Sequence, residues 1–260
     1  LGTPIGVVEG IVGIRRWNVV VHGSANHAGT TPMDQRKDAL LSAARIIEAV
    51  NRVVTSMPGS QVATVGRIQA SPGAPNVIPG EVTLSIEIRA REMDTIQEVM
   101  DGLRRETDTI AAEEATPIDV EEFYGSGAAP TDERFRDWIE ETSVEMGLDS
   151  HRMPSGAGHD AQAVAHVAPI GMVFIPSIGG LSHHPDEDSR PDHLEAGAPV
   201  LLGAQLRADA GLDQDRADSE LESRRAEPSL HRTPGLDSPA RGPGLEIPEL
   251  EVPVFPKSVQ

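Results

Sequence analysis

Cysteine is absent from the 260 residues. Neither a disulfide nor a thiolate metal site is therefore available, and a reducing, cytoplasmic setting is the natural default. Aromatic residues make up only 3%, so any core must rest on Val, Ile, Leu, Ala and Met. Positive charge is scarce. Lys and Arg number 22 against 41 Asp and Glu, a net charge of −19, which argues against holding a nucleic-acid backbone through broad electrostatics. No apolar run approaches membrane-spanning length and no signal peptide opens the chain, so no membrane partner is expected. An initiating Met is missing as well. The chain opens on Leu1 and reads as interior strand within a dozen residues, so the expectation is a piece of a longer protein. Its length suffices for one large or two modest domains.

What is present falls into periodic segments. Val7–Ile14 and Asn18–His22 are rich in β-branched residues and read as strands, with Arg15, Arg16 and Trp17 marking an exit from one domain. A long polar loop, residues 23–33, follows; loops of that length tend to be functional or disordered. From Arg36 the apolar period becomes helical through Ala39, Ala43, Ile46, Val50 and Val54, ending before Pro58-Gly59. Gln61–Gln69 alternates like a half-buried strand. Glu81–Ala90 alternates strictly and is the clearest strand in the sequence. Met93–Glu114 is a second amphipathic helix and Pro117–Tyr124 a final strand. Strand, helix, strand, strand, helix, strand is the order of the split βαβ, ferredoxin-like unit.

Past the linker at Gly125–Pro130, Asp132–Met146 reads as a helix capped by Thr131 or Asp132. A Gly-rich loop running into a helix spans Met153–Ala165, a buried strand spans Gly171–Ile175, and Pro191–Ala208 reads as a closing helix. From residue 209 prolines and charges dominate. Such composition buries too little apolar area to offset chain entropy, so the expectation is a disordered Pro-rich acidic tail over 209–260.

Candidate chemistry sits in the loops and at one strand end. His183 and His184 follow a strand that Pro176 and Gly179-Gly180 break; a rigid strand end is a good place to fix a metal or a substrate. Solvated loop histidines are an equally good account of that segment alone. Arg89 shares the polar face of its strand with Glu87 and offers a bidentate fork for a carboxylate, although an ordinary Glu87–Arg89 pair is the commoner arrangement. Asn76 lies between Pro75 and Pro79, where a plain turn asparagine is the bland account. In Ser155–Asp160, glycines ahead of a helix allow backbone N–H groups to approach an anion. The alternative gives Asp160 a capping role and makes His159 a buried, hydrogen-bonded imidazole. His27 offers a donor to an oxyanion, while a lone loop histidine is more often structural. No nucleophile elbow, phosphate loop or dinucleotide fingerprint is present.

Four motifs in order, GSANHAGTTPMDQRKDAL, SPGAPNVIPGEVTLSIEIRA, MPSGAGHDAQ and PSIGGLSHHPDE, give the chain a specific likeness. It resembles the M20-type metal-dependent amidohydrolases, in the branch of N-carbamoyl-L-amino acid hydrolases and allantoate amidohydrolases, over residues 1 to about 208. The resemblance implies an α/β fold: the C-terminal part of a metallo-exopeptidase-like α/β catalytic domain with an inserted ferredoxin-like α+β domain serving as lid and dimer interface. The implied layout is residues 1–16 as a catalytic-domain fragment, 17–126 as the lid, 127–208 as the rest of the catalytic domain, and 209–260 as tail. It further implies a catalytic His27 acting in the partner subunit's site, and Asn76 and Arg89 gripping the α-carboxylate of a small-molecule substrate. Gly158 would bind substrate through its backbone with His159 beside it, and His183 would be a metal ligand. Two divalent ions, zinc or manganese, are expected in the complete enzyme, whose other ligands in the family lie upstream of Leu1. A fragment with His183 alone is expected to be inactive. Ser24 stands where the family has glutamine, and Glu87 where it has aspartate. The rival readings are an M20 aminoacylase or peptidase, and a non-catalytic dimerising fragment.

Overall fold

A computed structural model of the chain describes residues 2–226, with side chains as far as residue 211. The elements in order are β1 (Ile5–Ile11), β2 (Gly13–His22), β3 (Asn26–His27), α1 (Ala39–Ser56), β4 (Val62–Ser71), β5 (Val77–Ile78), β6 (Glu81–Ala90), α2 (Met93–Glu114), β7 (Ile118–Ser126), β8 (Ala129–Pro130), α3 (Glu133–Glu145), β9 (Ser150–Ser155), α4 (Ala161–Val164), β10 (Val173–Phe174) and α5 (Pro191–Ala226).

The larger sheet has the order β4-β6-β2-β7, antiparallel throughout, with α1 and α2 against one face. That is the ferredoxin-like arrangement expected from the element order. Its inner face follows from alternation. In β6 every second residue, Val82, Leu84, Ile86, Ile88 and Ala90, is buried, and β2 adds Trp17, Val19 and Val21. Ala43, Ile46, Val50, Ile96, Val99 and Leu103 of the two helices fill the space above them. Full burial of each such aliphatic side chain contributes about 1.5–3 kcal/mol, which makes this cluster the dominant stabilising element. The Asp38 carboxylate starts α1, accepting from Leu40 N at 2.9 Å and Leu41 N at 3.3 Å. Ala115, left-handed at φ 52°, ends α2. The chain is then pinned by a buried hydrogen bond of 2.8 Å between the Thr116 and Ser42 hydroxyls.

The second sheet is built on β1, paired in parallel with β9 and antiparallel with β10 and β8. Ile5 and Val7 face Ile139 of α3 and Val200 of α5; Val8 and Ile11 pack on the other side with Ala129, Ile170 and Met172. A register shift against β9 between Val8 and Ile11 lets Ile11 join Val8 and not Val7.

Three boundaries differ from the sequence expectation. β2 runs unbroken from Gly13 through Arg15, Arg16 and Trp17, so Gly13–Arg16 pair with β6 in the larger sheet and the chain changes sheets at Val12. The β-branched pattern continues on both sides of that point and gives no local signal of the change. The strand expected over Gly171–Ile175 shortens to Val173–Phe174 and is only half-buried, because it pairs with just two residues of β1. Finally, α5 continues past residue 208 to Ala226. No proline interrupts residues 200–227, and the Ala, Leu, Asp, Glu and Arg found there carry a helix well enough. The rest of the expected tail lies outside the described residues.

Candidate active site

The loop after β2 folds back as a short ribbon in which β3 pairs with β5, placing His27 opposite Val77. Ala28 N donates to Asn76 O at 3.0 Å, so His27 and Asn76 share one end of this ribbon. The loop is tightly held. The His27 carbonyl accepts from Thr30 N, Thr31 N and the Thr31 hydroxyl, while the Arg36 guanidinium donates to the Ala28 and Thr31 carbonyls. Gly29 N donates to His27 Nδ1 at 3.0 Å. With that nitrogen an acceptor, a neutral imidazole carries its proton on Nε2, which makes the exposed edge a hydrogen-bond donor.

Arg89 lies on the open face of the larger sheet, between buried Ile88 and Ala90. Its Nε donates to Glu87 Oε1 at 2.7 Å and its Nη1 to the Gly156 carbonyl at 2.8 Å. Nη2 has no hydrogen-bond partner among the described residues. The pairing with Glu87 is thus present, yet it leaves part of the fork available beside the 156–160 loop. Glu87 is itself shared: Arg16 Nε donates to its Oε2 at 2.6 Å, and the Arg16 guanidinium stacks on the Tyr124 ring at 4.5 Å. Burial by itself would raise the Glu87 carboxyl, but the hydrogen bonds and charges of Arg89 and Arg16 outweigh it and hold the group below the usual glutamate range.

The 156–160 loop differs from both parts of the structural alternative, the Asp160 cap and the buried His159. His159 is exposed, and it is His159, not Asp160, that satisfies the start of α4: Ala161 N donates to His159 Nδ1 at 3.1 Å, whereas Asp160 makes no side-chain cap. His159 therefore also presents an Nε2–H donor when neutral. A Cβ at Gly158 would lie 3.1 Å from Gln162 Oε1, a tight contact that the glutamine side chain would have to yield to by a few tenths of an ångström.

His183 is exposed and left-handed at φ 57°, its N–H held by Glu187 Oε2 at 2.7 Å. The other non-glycine residue with positive φ among those described, Ala115, simply ends a helix. His183 ends none, and a strained backbone held by a neighbouring carboxylate marks a constrained loop. Among the described residues no group of three or more His, Asp or Glu side chains is spaced to hold a metal ion.

Of the six sequence-derived positions, the structure joins His27 with Asn76, and Arg89 with the loop of Gly158 and His159. It does not join Asn76 with Arg89. Asn76 lies before the Glu81 end of β6 and Arg89 near its other end, and the Glu81–Arg89 stretch spans roughly 26 Å at about 3.3 Å per residue. Two contributors escape the sequence reading: Arg16, whose strand position gives no hint of Glu87, and Gln162, which closes the MPSGAGHDAQ motif and bonds three segments.

The model of peptidase family M20/M25/M40 matches residues 9–206. An N-carbamoyl-L-amino-acid amidohydrolase of Paenarthrobacter aurescens is 37% identical over 205 residues, covering 79% of this chain and 50% of that protein. An allantoate amidohydrolase of Bacillus subtilis is 36% identical over 200 residues, covering 77% and 48%. A solved amidase of the hydantoinase/carbamoylase family from Burkholderia multivorans superposes with a TM-score of 0.75 at 36% identity, covering 79% of this chain and 50% of that one. The chain spans about half the length of the curated relatives it matches.

Proposed function

Because this chain belongs to peptidase family M20/M25/M40, we propose that it serves hydrolysis of a linear C–N bond in an N-carbamoyl-L-amino acid or allantoate. The observation that carries this reading is the likeness, at 37% and 36% identity, to two enzymes named for those substrates. Both substrates bear a carboxylate close to the bond to be cut, and Arg89 suits one. Glu87 fixes its Nε side and Gly156 O its Nη1, leaving Nη2 directed by a guanidinium that is already oriented. Gly158 adds a backbone contact and His159 an N–H donor at the same loop.

His27 polarises the scissile carbonyl through Nε2–H, supporting the oxyanion as it forms. Asn76 travels with His27 and not with Arg89, so the shared carboxylate grip expected of Asn76 and Arg89 is not made within one chain. In a homodimer assembled through the larger sheet's domain, His27 and Asn76 of the partner subunit complete the site that Arg89 begins. Family members generally depend on divalent metals, and two ions, zinc or manganese, are proposed for the complete enzyme with His183 as one ligand. Zinc sites usually need three or four protein ligands, so His183 alone does not fit one. The 260-residue chain by itself is proposed to be inactive. No described helix is long and apolar enough to cross a membrane, and the cytoplasm is the proposed location.

The test uses a form extended at its N-terminus to the relatives' full length. It should hydrolyse N-carbamoyl-L-amino acids or allantoate faster than N-acetyl amino acids; the reverse order would replace this reading with an aminoacylase. Coexpressing Arg89→Ala with His27→Ala subunits should restore activity to roughly a quarter of wild type, since half of randomly paired dimers keep one intact site. No recovery would place His27 and Arg89 in the same chain's site.

A further inference from the structure

The chain passes between its two sheets twice, at Val12 from β1 to β2 and at Gly127-Ala128 from β7 to β8. One side chain reaches both crossings. Gln162 Nε2 donates to Val12 O at 3.1 Å and to Gly127 O at 2.8 Å, while its Oε1 accepts from His159 N at 3.2 Å. A primary amide has two N–H donors and one carbonyl, and here each is used on a different segment. The same junction is reinforced by Val12 N, which donates to Ser155 O at 3.0 Å at the root of the 156–160 loop. From the larger sheet, Arg89 Nη1 reaches Gly156 O in that loop.

No similar side chain reproduces this pattern. Glutamate has the length but, when ionised, no donor to offer two carbonyls. Methionine fills the space and offers neither donor nor acceptor of strength. Asparagine is one methylene short. We propose that Gln162 is a positioning residue that latches the 156–160 loop to both crossings, so that the loop keeps its arrangement only while those bonds hold. This goes beyond the proposed reaction and holds whatever bond the enzyme cuts.

Hydrogen exchange measured by mass spectrometry on the 260-residue chain tests it, with Gln162→Met and Gln162→Glu compared at pH 7 and pH 4. In Gln162→Met, amides of residues 12–14, 126–128 and 156–160 should exchange roughly tenfold faster at both pH values once intrinsic rates are divided out. Protection in α1 and α2 should be unchanged. Gln162→Glu should match it at pH 7 and recover part of the protection near pH 4, where a protonated carboxyl regains one donor. Unchanged exchange in the three segments, equal loss across α1 and α2, or identical behaviour of the two variants at both pH values would each overturn the latch.

Discussion

Glu87→Gln isolates the ion triad that orients Arg89. The substitution keeps the side chain's size and one acceptor oxygen but removes the charge that Arg16 and Arg89 share at 2.6 and 2.7 Å. Hydrogen bonds to charged groups contribute about 1.5–3 kcal/mol when buried, and exposed ion pairs about 0.2–1 kcal/mol. The three side chains lie between those limits, at 24% exposure for Glu87, 28% for Arg89 and 36% for Arg16. With Arg16 more than a third exposed, solvent screening keeps each pair near the top of the exposed range, just under about 1 kcal/mol, and because glutamine retains one acceptor the variant should lose about 1 kcal/mol in all at neutral pH. The pH dependence fixes the cause. Glu87 titrates below the usual glutamate range in the folded chain, so its contribution is fully present above the unfolded-state pKa. It fades as pH falls through the lower folded-state value. Urea unfolding of wild type and variant should thus differ most at pH 7, with the difference shrinking below roughly pH 4. Asp132, Glu140 and Glu145 are also held low, by their arginine partners, but they titrate alike in both proteins and cancel. A difference under about 0.3 kcal/mol, or one that is constant from pH 7 to pH 3, would refute the assignment of this triad as the support of Arg89.

Two further predictions concern the platform beneath it. Leu84, fully buried at the centre of β6, should cost about 2–5 kcal/mol on replacement by alanine; a urea midpoint shift equivalent to less than 1 kcal/mol would mean that the helix–sheet core closes over the space. Asp38→Ala should lose about 1 kcal/mol of stability, with most of it regained in Asp38→Ser, because either side chain accepts from the first free amides of α1. Thermal unfolding in which serine does no better than alanine would remove the cap from the account.

The larger sheet and its two helices were legible because their signals are local. Alternation in Glu81–Ala90 and a 3.6-residue period in residues 39–54 and 93–114 report burial directly, and six elements in that order admit few topologies. The point where the chain changes sheets was hidden because Ile11 and Val12 before it and Ile14 after it are apolar and β-branched, a pattern that states how a strand is buried but not in which sheet. The cap at α4 was missed for a related reason. Asp160 has the better capping propensity, yet it is already helical, and the histidine before it holds the geometry that reaches Ala161 N.

The candidate residues were legible as loop and strand-end side chains, but their separation along the sheet was not. Residues 76 and 89 are close in sequence, which invites placing them on one carboxylate. Most of what lies between them is an extended strand, however, and an extended strand separates its ends by the greatest distance a chain of that length allows. The Glu81–Arg89 stretch alone spans roughly 26 Å, more than a substrate the size of a carbamoyl amino acid bridges, which is why the proposed reading divides Asn76 and Arg89 between two chains. The antiparallel pairing of β2 with β6 strengthens the separation. It brings His22, and with it the loop of His27, to the Glu81 end, while Gly13 and Ile14 stay beside Arg89. Each chain therefore presents its candidate residues in two groups at opposite ends of one sheet, and on the proposed reading each group is completed by a second copy.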